Sequence, residues 1–177
     1  MEGIGPEIRE GRNRLAGGRI GIRQHGDKFI GRIWETRKMT TQKTAAYEID
    51  LQIPFHDLDP MHIVWHGNYL KYFDQARFAL FRNAGLDLYE YYQKTGTLFP
   101  ITKTSTKHII PLVYGDRIAC RATVAEAGVK IAIDFVIRRL ESGEICTKGR
   151  SEQVAVKAPE MIMMFEIPAD IRQALGF

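Results

Sequence analysis

The segment from Asn68 to Ala84, "NYLKYFDQARFALFRNA", puts apolar side chains almost all the way round a helix. Tyr69, Tyr72, Phe73, Ala76, Ala79, Leu80 and Ala84 recur three or four residues apart, and Leu70, Phe78 and Phe81 leave little of the opposite face polar. Such a helix cannot stand alone in water and needs cover over most of its circumference. Gly85 follows at the position where a left-handed C-cap ends a helix. The remainder of the chain must therefore wrap this one element.

The flanking sequence supplies strands to do so. Tyr47, Ile49, Leu51, Ile53 and Phe55 fall on one face with Glu48, Asp50 and Gln52 opposite, the period-two pattern of a half-buried strand. It is expected to stop at "HDLDP", where Pro60 lacks an N–H and biases Asp59 toward extended backbone. After a second short helical stretch over 86–94 come "LFPITKTSTKHIIP" and a turn at Gly115 and Asp116. Alternating runs follow at Ile118, Cys120, Ala122 and Val124, and at Ile131, Ile133, Phe135 and Ile137, with Gly128 and Gly143 as hairpin positions. A further strand is expected over 145–157, and the tail "IPADIRQALG" reads as a short helix packing at an edge. One long apolar helix with a run of antiparallel strands predicts an α+β fold whose sheet curls around the helix.

Charge separates the chain into two parts. Of 25 Lys/Arg and 21 Asp/Glu in 177 residues, nine and five lie in residues 1–38, so the leader carries the whole net charge of +4 and the body is neutral. Eight of the sixteen glycines also lie there, a composition that buries too little surface to offset the entropy of ordering it. Residues 1–38 are thus expected to be a mobile basic leader and 39–177 a single domain. A second reading starts the native protein at Met39; the intact mass of the native protein distinguishes the two. A neutral body argues against a nucleic-acid partner. No apolar run approaches eighteen residues and the first residues lack a signal-peptide core, so the expectation is a cytoplasmic protein without a membrane span. Cys120 and Cys146 sit in strand patterns without metal-ligand spacing and read as core residues.

The chemistry-bearing stretch is "FHDLDPMHIVWHGNYLKYFDQAR", Phe55 to Arg77, between the first strand and the long helix. A carboxylate here stands beside the unpaired N–H groups of a helix start, with Trp65, His66 and Gly67 as the candidate donors. Acyl transfer needs such a pair: a group that attacks a carbonyl or activates water, and fixed donors for the oxygen that becomes negative. On spacing alone the same corner also reads as a capping device.

The string "DLDPMHIVWHGNYLKYFDQAR" resembles the D-x-D-P-x-G-I-V-x-x-x-N-Y signature of the 4-hydroxybenzoyl-CoA thioesterase-like branch of the hot-dog superfamily, which includes the Tol-Pal-associated acyl-CoA thioesterases. "STKHIIPLVYGDRIACRATVAE" resembles that family's second landmark, a strand carrying a proline followed by Gly-Asp and an alternating strand. The resemblance implies a hot-dog fold, an antiparallel sheet wrapped around a long central helix. It assigns Asp59 as the catalytic carboxylate, either a nucleophile or a general base, and Asp57 as a residue that orients the corner. His66 is implied to polarise the thioester carbonyl through its main-chain N–H, with a side-chain role as proton donor to the leaving thiolate as an alternative. Trp65, Gly67, Asn68 and Lys130 are the implied substrate-binding positions, with Asn68 reading equally as a residue that hydrogen-bonds to the corner and holds it.

This sequence departs from the pattern in three places. His62 replaces a glycine, which strains the turn if that position needs a positive φ. The arginine pair some members use on coenzyme A phosphates is absent, leaving only Lys130 in register. Gly67 stands where alanine or proline is frequent, which makes room near an acyl chain. No cofactor or metal is required for thioester hydrolysis. The implied substrate is an acyl-CoA, with acylated carrier protein or acyl binding without turnover as rivals, and the implied assembly is a homodimer or homotetramer with the site at the subunit interface. Tyr69, Tyr72 and Phe73 read as core, with substrate lining as the alternative, and Lys103 and Lys107 as solvated, with phosphate contact as the alternative.

Overall fold

Period-two alternation becomes β1, Ala46–Gln52, in a computed structural model that describes residues 44–177; the leader expected over 1–38 lies outside them. The strand is shorter than expected. Pro54 has no N–H to donate, the chain turns into a single 3-10 turn at Phe55–Asp57, and Phe55 is left 71% exposed instead of joining the buried face. A second 3-10 turn, His66–Asn68, leads into α1, Tyr69–Asn83. α1 ends as the sequence predicts: Gly85 takes φ 77°, its N–H donates to Arg82 O, and Leu86 N–H donates to Phe81 O at 2.9 Å, the paired bonds of a Schellman cap. α2, Leu88–Thr95, is opened by the Asp87 carboxylate, which accepts from the amides of Tyr89 and Glu90.

The expected run of strands is present as β3, Ile101–His108, β4, Arg117–Ala127, β5, Ile131–Arg139, and β6, Ile145–Gln153. With β1 they form one antiparallel sheet in the order β1-β4-β5-β6-β3. The strand expected over 145–157 is in fact two. The ladder ends where Gln153 faces both Ile131 and Ile101, the first residues of its two neighbours, so the chain has no partner left. It leaves the sheet and continues as β7, Val156–Lys157, in a second small sheet with β2, Thr97–Leu98, and β8, Ile162–Met163. The tail forms α3, Ala169–Ala174, and does more than lie at an edge: Ile167, Ile171 and Leu175 are fully buried in the main core.

The core lies between α1 and the concave face of the sheet. Phe73 stacks on Phe135 with ring centroids 4.6 Å apart, and Leu80, Phe81, Ile118, Ile133 and Ile137 are fully or almost fully buried around them. Full burial of each such side chain stabilises the fold by about 1.5–3 kcal/mol. Cys120 and Cys146 are buried and free, and burial pushes the Cys120 thiol up to about 12. Among the described residues the cover over α1 is less complete than its pattern predicts. The sheet covers one side only, while Leu70 and Phe78 on the other side remain 39% and 44% exposed beside Lys71, Gln75 and Arg82. Among the described residues no helix is long and apolar enough to cross a membrane.

Packing is close where Phe73 of α1 meets Gly149 of β6. A Cβ on Gly149 would sit 2.3 Å from Cε2 and 2.5 Å from Cζ of Phe73, a buried ring already stacked on Phe135. Gly149→Ala is therefore expected to lower stability by about 1–3 kcal/mol through overpacking. Chemical denaturation measures it, and an unchanged midpoint would mean that the ring moves freely.

Candidate active site

Between the first 3-10 turn and α1 the chain makes a small hairpin. Leu58 and Val64 form a bridge, Asp59 N–H donates to Ile63 O at 2.8 Å, and His62 N–H donates to Asp59 O at 2.9 Å. Pro60 occupies the second turn position, where its fixed φ is already suitable, and the Asp59 carboxylate stabilises the bend by accepting from Met61 N–H at 2.8 Å. The next residue, His62, takes φ 60°. A turn followed by one left-handed residue is a standard three-residue hairpin, and it explains why glycine suits this position. The strain expected of a histidine there is present. The hairpin is anchored to the segment after β3 by Val64 N–H donating to Leu112 O and by a bridge between Ile63 and Val113.

Asp57 holds this hairpin against the helix start. It is only 3% exposed; its carbonyl accepts from Trp65 N–H and from Asn68 Nδ2–H, both at 2.9 Å, and its carboxylate accepts from Tyr72 Oη at 2.7 Å and Lys71 Nζ at 3.1 Å. Burial works against the charge, but the Tyr72 hydroxyl and Lys71 outweigh it and hold the carboxyl below the usual range. Neither aspartate caps α1, whose N-cap, Asn68, has no side-chain cap bond. The Trp65 amide, one of three expected donors, is committed to Asp57 O, and the amides of His66 and Gly67 have no hydrogen-bond partner among the described residues.

Asp59, His66, Val64 and Tyr69 line one cavity of about 390 Å³ with Met61, Ile63, His108, Ile109 and Pro111. A carboxylate, two imidazoles and an apolar wall thus meet beside free helix-start amides. Four of the sequence-derived positions, Trp65, Gly67, Asn68 and Lys130, are not in its lining. Asn68 is buried and bonded to Asp57 O. Trp65 packs its indole on His66 with ring centroids 4.9 Å apart and lies across Gly67, where a Cβ would sit 2.1 Å from the indole. The room left by Gly67 is filled by that ring. Lys130 is not brought to the cavity within one subunit: it sits at the β4–β5 turn, paired with Glu152 at 2.8 Å, about 20 Å along the sheet from His108 by strand rise. A larger cleft of about 660 Å³ on the outer side of α1, lined by Lys71, Phe78, Arg82 and Tyr89 among others, contains neither Asp59 nor His66.

His108 is the residue sequence reasoning missed. It closes a strand whose eight residues are all exposed, and nothing in "TKTSTKH" distinguishes it. Only the packing of α1 brings its ring to 4.5 Å from Tyr69. Tyr69 and Tyr72 are buried as expected of core residues, though Tyr69 also lines the cavity. Lys103 and Lys107 are exposed on β3.

The thioesterase superfamily model matches residues 61–144. A putative esterase of Synechocystis is 25% identical over 130 residues, spanning 73% of this chain and 78% of the relative. A putative acyl-CoA thioesterase of Bacillus subtilis is 28% identical over 108 residues, 60% of this chain and 77% of its own. Among solved structures, the 4-hydroxybenzoyl-CoA thioesterase of Pseudomonas superposes with a TM-score of 0.67 at 20% identity, covering 73% of this chain and 99% of the other. That likeness identifies the hot-dog fold.

The Asp57 clamp yields a prediction with a definite pH sign. Its carboxyl titrates lower in the folded chain than in the unfolded one, so its contribution is complete above the unfolded value near 4 and is lost as pH falls through the depressed folded value. Tyr72→Phe should cost about 1.5–3 kcal/mol at neutral pH. The difference from wild type should shrink on acidification below the ordinary carboxylate range. Denaturation at several pH values checks both statements, and a cost that does not vary with pH would remove the charge from the explanation.

Proposed function

We propose that this chain, which belongs to the thioesterase superfamily and is a thioester hydrolase of hot-dog fold, hydrolyses an acyl-CoA to the free acid and coenzyme A at the cavity of Asp59. One observation carries the assignment: a carboxylate on a pinned hairpin shares a cavity with the start of α1, where two amides have no partner among the described residues. The thioester carbonyl oxygen lies toward the His66 and Gly67 amides, which together with the helix dipole stabilise the negative charge that develops on it. Asp59 then either attacks the carbonyl carbon, expelling the thiolate as a mixed anhydride forms, or removes a proton from an attacking water.

The same reading includes a homodimer or homotetramer. β3 is an edge strand with all eight residues exposed, and the cavity opens beside its last residue, so a second copy joined along this edge would enclose it. Acylated carrier protein is the second substrate reading, favoured because Lys130, the residue in register with the arginine pair that grips coenzyme A phosphates in some members, is engaged by Glu152.

The test is thiol release from aliphatic and aromatic acyl-CoAs by wild type and Asp59→Asn. Asparagine can keep accepting from Met61 N–H, so folding should be retained while kcat/KM falls by at least about a hundredfold. Unchanged turnover would reject Asp59, and an inactive wild type would transfer the proposal to carrier-protein substrates or to acyl binding alone.

A further inference from the structure

Hydrolysis has two halves, and the cavity holds two bases of different strength. If Asp59 forms the acyl bond, something must still take a proton from the water that breaks it. An imidazole is by about two pK units a stronger base than a carboxylate, which makes it the better match to that step near neutral pH. His66 is already used through its amide and packs its ring on Trp65. His108 is not needed at the carbonyl oxygen; its ring stands edge-on to Tyr69 with centroids 4.5 Å apart and lines the same cavity as Asp59.

Its position is set by rigid elements. His108 is the last residue of β3 and pairs with Thr147 of β6. The N–H groups of Ile109 and Ile110 both donate to Cys146 O, so the chain cannot swing away from the sheet after it. Four residues on, Leu112 O accepts from Val64 N–H and ties this wall to the hairpin that carries Asp59.

We propose that His108 is the general base of the second half-reaction, accepting a proton from the water that hydrolyses an acyl-Asp59 anhydride. This rests on the thioesterase reading above and deepens it by assigning Asp59 to the attack. The steps balance. Asp59 Oδ bonds to the acyl carbon as the C–S bond breaks and the thiolate leaves. Water then adds to the acyl carbon as its proton passes to the His108 imidazole, the anhydride C–O bond breaks, and Asp59 is regenerated as a carboxylate. The imidazolium returns its proton to the thiolate or to solvent.

The surroundings suit a neutral imidazole. Burial first, and His66 second, lower the His108 pKa from its ordinary value. The groups facing it are His66 and Tyr69 from the start of α1 and Asp59 from the hairpin, with Lys107 and Lys148 as neighbours on β3 and β6. Turnover of wild type should therefore fall on the acid side as the imidazole is protonated.

The experiment is a pre-steady-state comparison of wild type, His108→Phe and His108→Gln with an acyl-CoA that wild type turns over. Thiol and free acid are followed separately by rapid quench. Phenylalanine preserves the aromatic contact to Tyr69, glutamine preserves polarity, and thermal melting confirms that both fold. The expected result is about one equivalent of thiol per subunit released at near the wild-type rate, followed by acid formation at least about tenfold slower. Acyl mass on the peptide containing Asp59 and loss of the acid-side limb in the glutamine variant should accompany it. Steady-state turnover within twofold of wild type in both variants overturns the assignment, as does loss of the thiol burst. A wild type that releases no thiol from any acyl-CoA overturns the thioesterase reading itself, and this inference with it.

Discussion

The Asp57 clamp is the contact on which the rest of the site depends. One buried residue accepts four hydrogen bonds, two on its carbonyl from Trp65 and Asn68 and two on its carboxylate from Tyr72 and Lys71. Those bonds join the segment after β1 to the first turns of α1, so the hairpin carrying Asp59 and the free amides of the helix start keep a fixed separation. A hydrogen bond to a buried charge contributes more than one between neutral groups, and losing one partner leaves a charge poorly solvated. The corner therefore tolerates little play. Catalysis by fixed dipoles requires this rigidity, because donors that must reorganise during reaction lose most of their effect.

Around that clamp the structure divides its labour. Pro60 and the Asx bond to Met61 shape the hairpin, His62 takes the left-handed conformation needed to close it, and Val64 anchors it to Leu112. The Asp59 carboxylate is thus held by backbone geometry more than by charged neighbours. Asp57 does the opposite work with the opposite environment: buried, charge-compensated and unavailable to substrate. Two aspartates two residues apart acquire different roles because one faces the core and the other faces a cavity.

Much of this was legible in residue patterns. The helical period across 69–84, Gly85 as its terminator, the alternation in β4 and β5, and the turns at Gly115 and Gly143 all depend on local interactions, which a sequence displays directly. Misreadings arose where a local breaker outweighed the alternation or where a distant partner decided. β1 ended early because Pro54 and the 3-10 turn after it prevailed over the alternation that continues to Phe55. The strand over 145–157 split because its neighbours ran out at Ile101 and Ile131, a fact about registers that no single segment carries.

The site shows the same division. The sequence by itself determined the elements and the corner: a carboxylate before a proline, a helix beginning ten residues after that carboxylate, and a glycine at 67. Those properties follow from backbone preferences within a few residues. Tertiary structure alone decided which amides are free, since the Trp65 N–H is taken by Asp57 O; which aspartate is buried; that Lys130 lies at the far end of the sheet; and that His108, 49 positions after Asp59, shares its cavity. The physical reason is that hydrogen-bond partners, burial and cavity walls are set by the register of β3 on β6 and by the docking of α1, and these contacts join residues that local pattern never places side by side.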